Sequence, residues 1–245
     1  MTSREIITRL IENKNPVRIG FDFADNSDFY HGRAVRLTYP HDPKLASWGF
    51  HAELLARTDF KGEVRLDHYG NIFGRFNERT AGECVKGVLQ DGWECLDNYA
   101  FPDFDESFDA ETQKLKLREN GLFNVAYLPI AIFSFLRDSR LMNNALMDTL
   151  AEPENVEHLL SMETELLKKC IDRAAALGYN AVGFADDMGT QTATFFSLNT
   201  FRTLFKNHYR QVIGKAHEHN MKFILHSCGY VYEFIDDLIS VGVDA

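Results

Sequence analysis

Length, composition and charge already exclude several classes of protein. The chain has 245 residues, of which 45% are hydrophobic, so it can bury a core and is neither a stapled mini-protein nor a disordered chain. Its 26 Lys and Arg against 36 Asp and Glu give a net charge of −10. A chain this acidic repels phosphate backbones and anionic lipids, which argues against nucleic acid or a membrane surface as its partner.

The cysteines and the apolar segments indicate a cytoplasmic protein. The N-terminal residues show no export signal. The longest apolar stretch, residues 123–136, is interrupted by polar residues and is shorter than the ~20 residues of a transmembrane helix. The cysteines are too few and too scattered for a disulfide framework, namely Cys84, Cys95, Cys170 and Cys228.

The first 120 residues predict irregular structure. The pattern favours a helix over residues 2–13, a strand over residues 17–23 and a helix over residues 107–119. Between them, residues 68–75 are typical of a tight turn that joins two short strands.

From residue 121 the pattern alternates regularly between strands and helices. This rhythm predicts a parallel sheet, built either as a (β/α) barrel or as a doubly wound sheet. No Gly-x-Gly-x-x-Gly follows a strand, which weakens a dinucleotide-binding fold. Strands are predicted over residues 122–128, 180–185, 222–227 and from 243 onward. Helices are predicted over residues 141–150, from Pro153 to a stop at Gly178, from a cap at Ser197 to Asn220, and from Val231 to a stop at Gly242.

The number of strands bears on whether the chain is complete. The pattern supplies five core strands, whereas an eight-stranded barrel needs three more units of ~30 residues or more each. We therefore expect the chain to be a fragment of a longer protein.

Three of the predicted strands end in side chains that can do chemistry. In parallel barrels the active site gathers at the carboxyl ends of the strands. The candidates are Asp22 at the end of the first strand, Asp186 and Asp187 after the strand at 180–185, and His226 and Cys228 at the end of the strand at 222–227.

His226 and Cys228 form the candidate metal site. Because side chains alternate along a strand, residues two apart point the same way, and an imidazole nitrogen with a thiolate suits zinc. A catalytic zinc takes three protein ligands, so we expect the third beyond residue 245. The alternative is a packed histidine beside a buried free cysteine, with no metal.

Asp186 and Asp187 are the candidate catalytic carboxylates. In one interpretation, one of them points into the mouth of a barrel as a partner of His226 or as a contact to substrate or metal. In the other, both only cap the turn that follows the strand. Acidic residues on the predicted helices, among them Glu163 and Asp237, are expected to be solvated.

Several segments resemble the uroporphyrinogen decarboxylase superfamily, and within it the branch of zinc-dependent cobalamin methyltransferases. They are Gly183–Thr192 (GFADDMGTQT), Phe201–Tyr209 (FRxxFKxxY), Leu225–Gly229 (LHSCG) and, more loosely, Trp93–Asp103. The resemblance covers most of the chain and is specific mainly in residues 150–245. It implies a TIM-type (β/α)8 barrel, incomplete here because its C-terminal strands are missing. It further implies a single domain over residues 1–245, irregular over 1–120 and regular over 121–245.

The resemblance also implies a site and a reaction. His226 and Cys228 match two zinc ligands, a second cysteine beyond residue 245 completes the set, and Asp186 and Asp187 match the acidic position at the mouth of the active site. In the implied reaction a zinc-bound thiolate attacks a methyl group on a corrinoid that a separate protein carries, or zinc polarises the oxygen of a methyl ether. A small-molecule methyl donor or acceptor is the other expected partner, and a homodimer is left open.

Two alternatives remain open. The decarboxylase branch acts on tetrapyrroles and binds their carboxylates through an arginine-rich N-terminal segment, whereas Arg18, Arg33 and Arg36 stand in a different pattern here. The other alternative is a non-catalytic, truncated barrel, whose exposed sheet edges and apolar helix faces would cause poor solubility or oligomerisation.

Overall fold

The structure, a computed structural model, describes residues 1–23 and 26–245. The chain forms two compact units. The first unit comprises Met1–Arg36, Glu106–Ile132 and Ser161–Ala245, and the second comprises Leu37–Asp105 and Phe133–Leu160. The single domain expected over residues 1–245 stays a prediction. Among the described residues, no helix is long and apolar enough to cross a membrane.

The helices and strands are numbered here in chain order. The helices are α1 (Ser3–Ile11), α2 (Ala52–Leu55), α3 (Ala110–Glu119), α4 (Ile132–Arg140), α5 (Met142–Ala151), α6 (Pro153–Leu177), α7 (Leu198–Thr200), α8 (Lys206–Glu218) and α9 (Ile235–Val241). The strands are β1 (Asp22–Phe23), β2 (Asn26–Ser27), β3 (Phe29–Gly32), β4 (Glu63–Leu66), β5 (Ile72–Arg75), β6 (Glu83–Lys86), β7 (Phe123–Tyr127), β8 (Ala181–Ala185) and β9 (Lys222–His226). Short 3-10 turns cover Pro43–Ala46, Trp93–Asn98 and Tyr232–Phe234, and a π-helical turn covers Phe201–Phe205.

A parallel sheet forms the centre of the first unit. Within the described residues it has four strands, in the order β3-β7-β8-β9, and every neighbouring pair is parallel. The strands therefore neighbour one another in chain order, as in a TIM-type barrel, whereas a doubly wound sheet would reverse its order. The described strands do not close into a barrel. The α/β class and a partial TIM-type barrel are thus confirmed.

The two faces of this sheet pack against different helices. Phe184 of β8 faces the helical layer, where its ring centroid lies 6.0 Å from that of Tyr209 on α8 and 5.2 Å from that of Phe223. Successive side chains of a strand point to opposite faces, so the neighbours of Phe184 along β8 face the other way. On that other face, α1 contributes to a buried cluster of Ile7, Phe123, Val125 and Ala181.

The predicted first strand is wrong in position. Only Asp22 and Phe23 of the segment 17–23 form a strand, and they pair with β2 rather than with the parallel sheet. The preceding residues instead surround Asp28, whose carboxylate accepts two hydrogen bonds of 2.6 Å from Arg18 and one of 2.8 Å from the Phe21 backbone. The first strand of the sheet is β3, which pairs with β7.

The helix boundaries marked by Pro153, Gly178 and Ser197 are confirmed, whereas the helix predicted from Val231 begins at Ile235, after a 3-10 turn over Tyr232–Phe234. Helix α6 begins at Pro153, and Gly178 follows its last residue with φ +90°. Ser197 accepts a hydrogen bond of 3.1 Å from the Thr200 backbone, as a helix cap does. Asn220 follows α8 closely and has φ +57°, a left-handed conformation that does not continue an α-helix.

The end of the chain lies beside β9 without forming a strand of its own. The Asp244 N–H donates to the Phe223 carbonyl at 3.0 Å, and the Leu225 N–H donates to the Ala245 carbonyl at 2.9 Å. Residues 243–245 therefore make backbone hydrogen bonds to β9, but they are not assigned to the strand that the sequence predicts from residue 243 onward.

The second unit contains an antiparallel sheet with the order β4-β5-β6, counted over the described residues. The tight turn predicted between short strands is confirmed between β4 and β5. There the Asp67 carboxylate accepts hydrogen bonds from the backbones of Tyr69 at 2.9 Å and Asn71 at 2.8 Å. A buried ion pair of 2.7 Å joins Arg140 to Asp148 in the same unit.

A candidate metal centre at the ends of two strands

Three side chains meet at the carboxyl ends of β8 and β9. Ligand atoms of Asp187, His226 and Cys228 all lie within 4.8 Å of one another. His226 Nε2 is 3.1 Å from Cys228 Sγ and 3.8 Å from Asp187 Oδ1. The structure thus brings together the two metal ligands predicted from the sequence and adds a carboxylate from the neighbouring strand.

Side-chain alternation decides which of the two aspartates joins this cluster. Ala185 is the register partner of His226, and the Asp186 N–H donates to the His226 carbonyl at 2.8 Å. Asp187 is two residues beyond Ala185, so it lies on the same side of the sheet as His226. Its Oδ1 accepts a hydrogen bond of 2.7 Å from the Cys228 backbone N–H.

The loops that follow β8 and β9 lie in direct contact because glycines line the contact. A Cβ at Gly229 would stand 2.2 Å from the Gly189 carbonyl oxygen, so no larger residue fits there without a shift. Gly229 also has φ +81°, which glycine adopts readily. The Tyr230 N–H donates to the Thr190 carbonyl at 2.6 Å and closes the contact.

The cluster is open to solvent and electrostatically asymmetric. The His226 side chain is 60% exposed and that of Asp187 is 41% exposed. The Asp187 carboxylate raises the pKa of the Cys228 thiol, first through a hydrogen bond and then through its charge. The free thiol therefore keeps its proton at neutral pH, and a cation placed between these groups would favour its release.

The donor set and its spacing fit a tetrahedral metal ion. Zinc in proteins is bound by imidazole nitrogen, thiolate sulfur and carboxylate oxygen, and its bond lengths place neighbouring ligands roughly 3.3–3.8 Å apart. The two separations measured from His226 Nε2, 3.1 Å and 3.8 Å, are close to that range. Three protein donors would leave a fourth position open, as catalytic zinc sites do.

Asp186 lies on the opposite side of the sheet and is fully buried. The Tyr209 hydroxyl donates to its Oδ2 at 2.5 Å. Of the two carboxylates predicted to be catalytic, Asp187 lies in the cluster and Asp186 lies behind it. Asp22 is placed elsewhere, with its Oδ2 2.9 Å from His31 Nε2.

Two helical acids expected to be solvated are buried instead. Glu163 is completely buried, and neither of its carboxyl oxygens has a hydrogen-bond partner within the described part of the chain. Burial and the charge of Asp186 raise the pKa of Glu163 well above its ordinary value. Asp237 is buried between Arg202 and Lys206, which both pair with its carboxylate.

Asp187 is a sequence candidate for a contact to substrate or metal, and the structure places it beside His226 and Cys228. A third metal donor beyond residue 245 stays a prediction. The buried partner of Asp186, which is Tyr209, is not among the candidates named from the sequence. The available signal was its hydroxyl, because a fully buried tyrosine needs a polar partner for it.

Comparison with known proteins places the chain in a family. A profile of uroporphyrinogen decarboxylase (URO-D) matches residues 114–245, more than half of the chain. A solved methyltransferase from Methanosarcina mazei is similar in fold, with a TM-score of 0.59 and 12% identity, over 100% of this chain and 75% of that one. No curated protein sequence matches. The chain therefore belongs to the uroporphyrinogen decarboxylase (URO-D) family.

Proposed function

We propose that this URO-D family protein is a zinc-dependent methyltransferase that moves a methyl group between a corrinoid and a thiol or methyl ether. The observation that carries the proposal is the trio of nitrogen, sulfur and oxygen donors within 4.8 Å, formed by Asp187, His226 and Cys228. The trio lies at the carboxyl ends of parallel strands, where barrel enzymes keep their active sites. The similarity in fold to a methyltransferase supports the same reaction class.

Each residue of the trio has a distinct role in this proposal. His226 and Cys228 hold the metal from β9, and Asp187 holds it from the loop after β8. Asp187 also accepts the Cys228 backbone N–H, so the same carboxylate fixes the distance between the two loops. When bound, zinc would lower the pKa of a substrate thiol or polarise the oxygen of a methyl ether.

The proposed step is a displacement at carbon. The sulfur of the substrate thiolate attacks the methyl carbon of a methylated corrinoid, a new sulfur–carbon bond forms, and the carbon–cobalt bond breaks with its electron pair left on cobalt. The corrinoid is a substrate that a separate protein delivers. The open side of the cluster, where His226 is exposed, is the side from which that substrate approaches.

Metal content and methyl transfer test this proposal together. We expect about one zinc per chain in the purified protein, and loss of that zinc in His226→Ala and Cys228→Ser. His217→Ala and Cys95→Ser are the matched controls, because His217 is an exposed histidine paired with Asp244 and Cys95 is a free cysteine of the second unit. Consumption of methylcobalamin in the presence of a small thiol, followed by absorbance, should disappear in the same two variants.

Two results would contradict the proposal. One is equal zinc content in His226→Ala, Cys228→Ser and their controls. The other is formation of coproporphyrinogen from uroporphyrinogen without methyl transfer, which would assign the chain to tetrapyrrole decarboxylation.

A further inference from the structure

We infer that Tyr209 is a positioning residue for the metal cluster, although it lies on the opposite side of the sheet. This inference rests on the proposed function, because the cluster of Asp187, His226 and Cys228 is the site that it positions. Tyr209 is completely buried, and its hydroxyl contacts Asp186 and Met188 rather than the three proposed ligands.

The Tyr209 hydroxyl contacts both residues that flank Asp187. It donates a hydrogen bond of 2.5 Å to Asp186 Oδ2, and it lies 3.4 Å from Met188 Sδ. Asp186 and Met188 are themselves completely buried. The Tyr209 hydroxyl is therefore hydrogen-bonded to the residue before Asp187 and packs against the residue after it.

This double contact sets the direction of Asp187. In extended chain the residues on either side of a given residue point away from it. With Asp186 and Met188 held toward Tyr209, the carboxylate of Asp187 must point toward β9. It does so, because its Oδ1 accepts the Cys228 N–H at 2.7 Å.

Residues 186–188 are also hydrogen-bonded to residues 226–228, which carry the other two proposed ligands. The Asp186 N–H donates to the His226 carbonyl at 2.8 Å. The Met188 N–H donates to Ser227 Oγ at 3.2 Å. Displacement of Asp186 or Met188 would therefore be passed to both strands that form the cluster.

The position of Tyr209 is itself well fixed. Its ring packs at centroid distances of 6.0 Å from Phe184 and 5.7 Å from Phe201. A Tyr209→Phe change keeps this packing and removes only the hydroxyl. The buried Asp186 carboxylate would then lose the hydrogen bond that the Tyr209 hydroxyl donates to it.

The test compares Tyr209→Phe with Tyr179→Phe. Tyr179 is also buried in the first unit, and its hydroxyl donates to the Arg33 carbonyl at 3.0 Å, among residues outside the cluster. Removal of either hydroxyl is the same chemical change. We expect Tyr209→Phe to weaken cobalt(II) binding about 10- to 100-fold and to shift the cobalt(II) absorption spectrum, as loss of a supporting hydrogen bond does in metal sites. Tyr179→Phe should match the wild type in both.

Hydrogen exchange of the metal-free proteins gives a second, independent measurement. The amides of Asp186, Met188 and Cys228 should exchange about tenfold faster or more in Tyr209→Phe and at the wild-type rate in Tyr179→Phe, because only the first change releases the bonded segments.

The outcomes separate this inference from the proposed function. Unchanged exchange and unchanged cobalt(II) binding in Tyr209→Phe would overturn the positioning role and leave the proposed function standing. A wild-type protein that binds no metal, with faster exchange in Tyr209→Phe, would overturn the proposed function and support the positioning of Asp187. If Tyr209→Phe and Tyr179→Phe weaken cobalt(II) binding equally, the effect is a general one of removing a buried hydroxyl, and the inference is overturned.

Discussion

Asp186 and Asp187 are adjacent in the chain but serve opposite sides of the sheet. Asp186 is buried against Tyr209, whereas Asp187 faces His226 and Cys228 in solvent. The two acids therefore have different partners, and the same substitution at each should give different results.

We expect Asp187→Asn to weaken zinc binding more than tenfold while changing the free energy of unfolding by no more than about 0.5 kcal/mol, because its side chain is exposed. Asp186→Asn should instead lower the free energy of unfolding by about 1–3 kcal/mol, because it disturbs a buried hydrogen bond. Urea unfolding and zinc titration of both variants check this. A large loss of stability in Asp187→Asn together with a large loss of zinc affinity only in Asp186→Asn would contradict this geometry.

A buried glutamic acid makes stability depend on pH. Burial and the charge of Asp186 raise the pKa of Glu163 well above the ordinary 4.5, so the folded chain keeps a proton that the unfolded chain releases. The stabilising protonated form is fully present below the ordinary pKa, and its contribution is lost as pH rises toward the raised pKa.

Glu163→Gln removes this dependence while keeping the shape of the side chain. The free energy of unfolding of Glu163→Gln should rise relative to that of the wild type by up to about 1.4 kcal/mol per pH unit, beginning above about pH 5 and continuing until the raised pKa of Glu163 is passed. Urea unfolding at several pH values measures the difference between the two proteins. A difference that stays constant with pH would show that Glu163 is ionised in the folded state.

The contact between the two loops depends on a glycine. Gly229→Ala should cost more than Gly121→Ala, because both have positive φ but only Gly229 has a carbonyl oxygen within 2.2 Å of the added Cβ, whereas nothing lies within 4 Å at Gly121. We expect a loss of about 1 kcal/mol for Gly121→Ala from backbone strain alone. Gly229→Ala should exceed that loss and also weaken zinc binding, as thermal unfolding and zinc titration would show. If Gly229→Ala and Gly121→Ala lose the same stability and bind zinc equally well, the close contact between the two loops is not needed for either property.

We expect the loss of one partner of the ion pair buried in the second unit to lower the free energy of unfolding. Asp148→Asn leaves the Arg140 guanidinium buried without its carboxylate, which should cost about 3–5 kcal/mol. The exposed pair between Lys168 and Glu165 is the control, and Glu165→Gln should change the free energy of unfolding by no more than about 1 kcal/mol. Urea unfolding distinguishes the two, and a small effect at Asp148 would contradict the burial of this pair.

The regular half of the chain could be predicted because its local signals agree with its packing. Pro153, Gly178 and Ser197 mark helix ends through backbone preferences that do not depend on distant residues. The rule that chemistry gathers at strand ends then located His226 and Cys228, which the structure brings within 3.1 Å of each other.

The remaining features depend on contacts that are distant in sequence. Strand β3 has only four residues and none of them is fully buried. The residues before it bond to Asp28 rather than to the sheet, so hydrophobic periodicity pointed to residues 17–23 instead. The choice between Asp186 and Asp187 depends on Tyr209, which is 23 residues away from Asp186. A turn after a strand does not by itself show which of two adjacent acids will find such a partner.

X-ray absorption at the zinc edge of the purified protein tests the central claim most directly. If Asp187, His226 and Cys228 hold the metal, the spectrum of the wild-type protein should show one sulfur at ~2.3 Å together with nitrogen and oxygen neighbours at ~2.0–2.2 Å. A zinc shell without sulfur in the wild-type protein would contradict it.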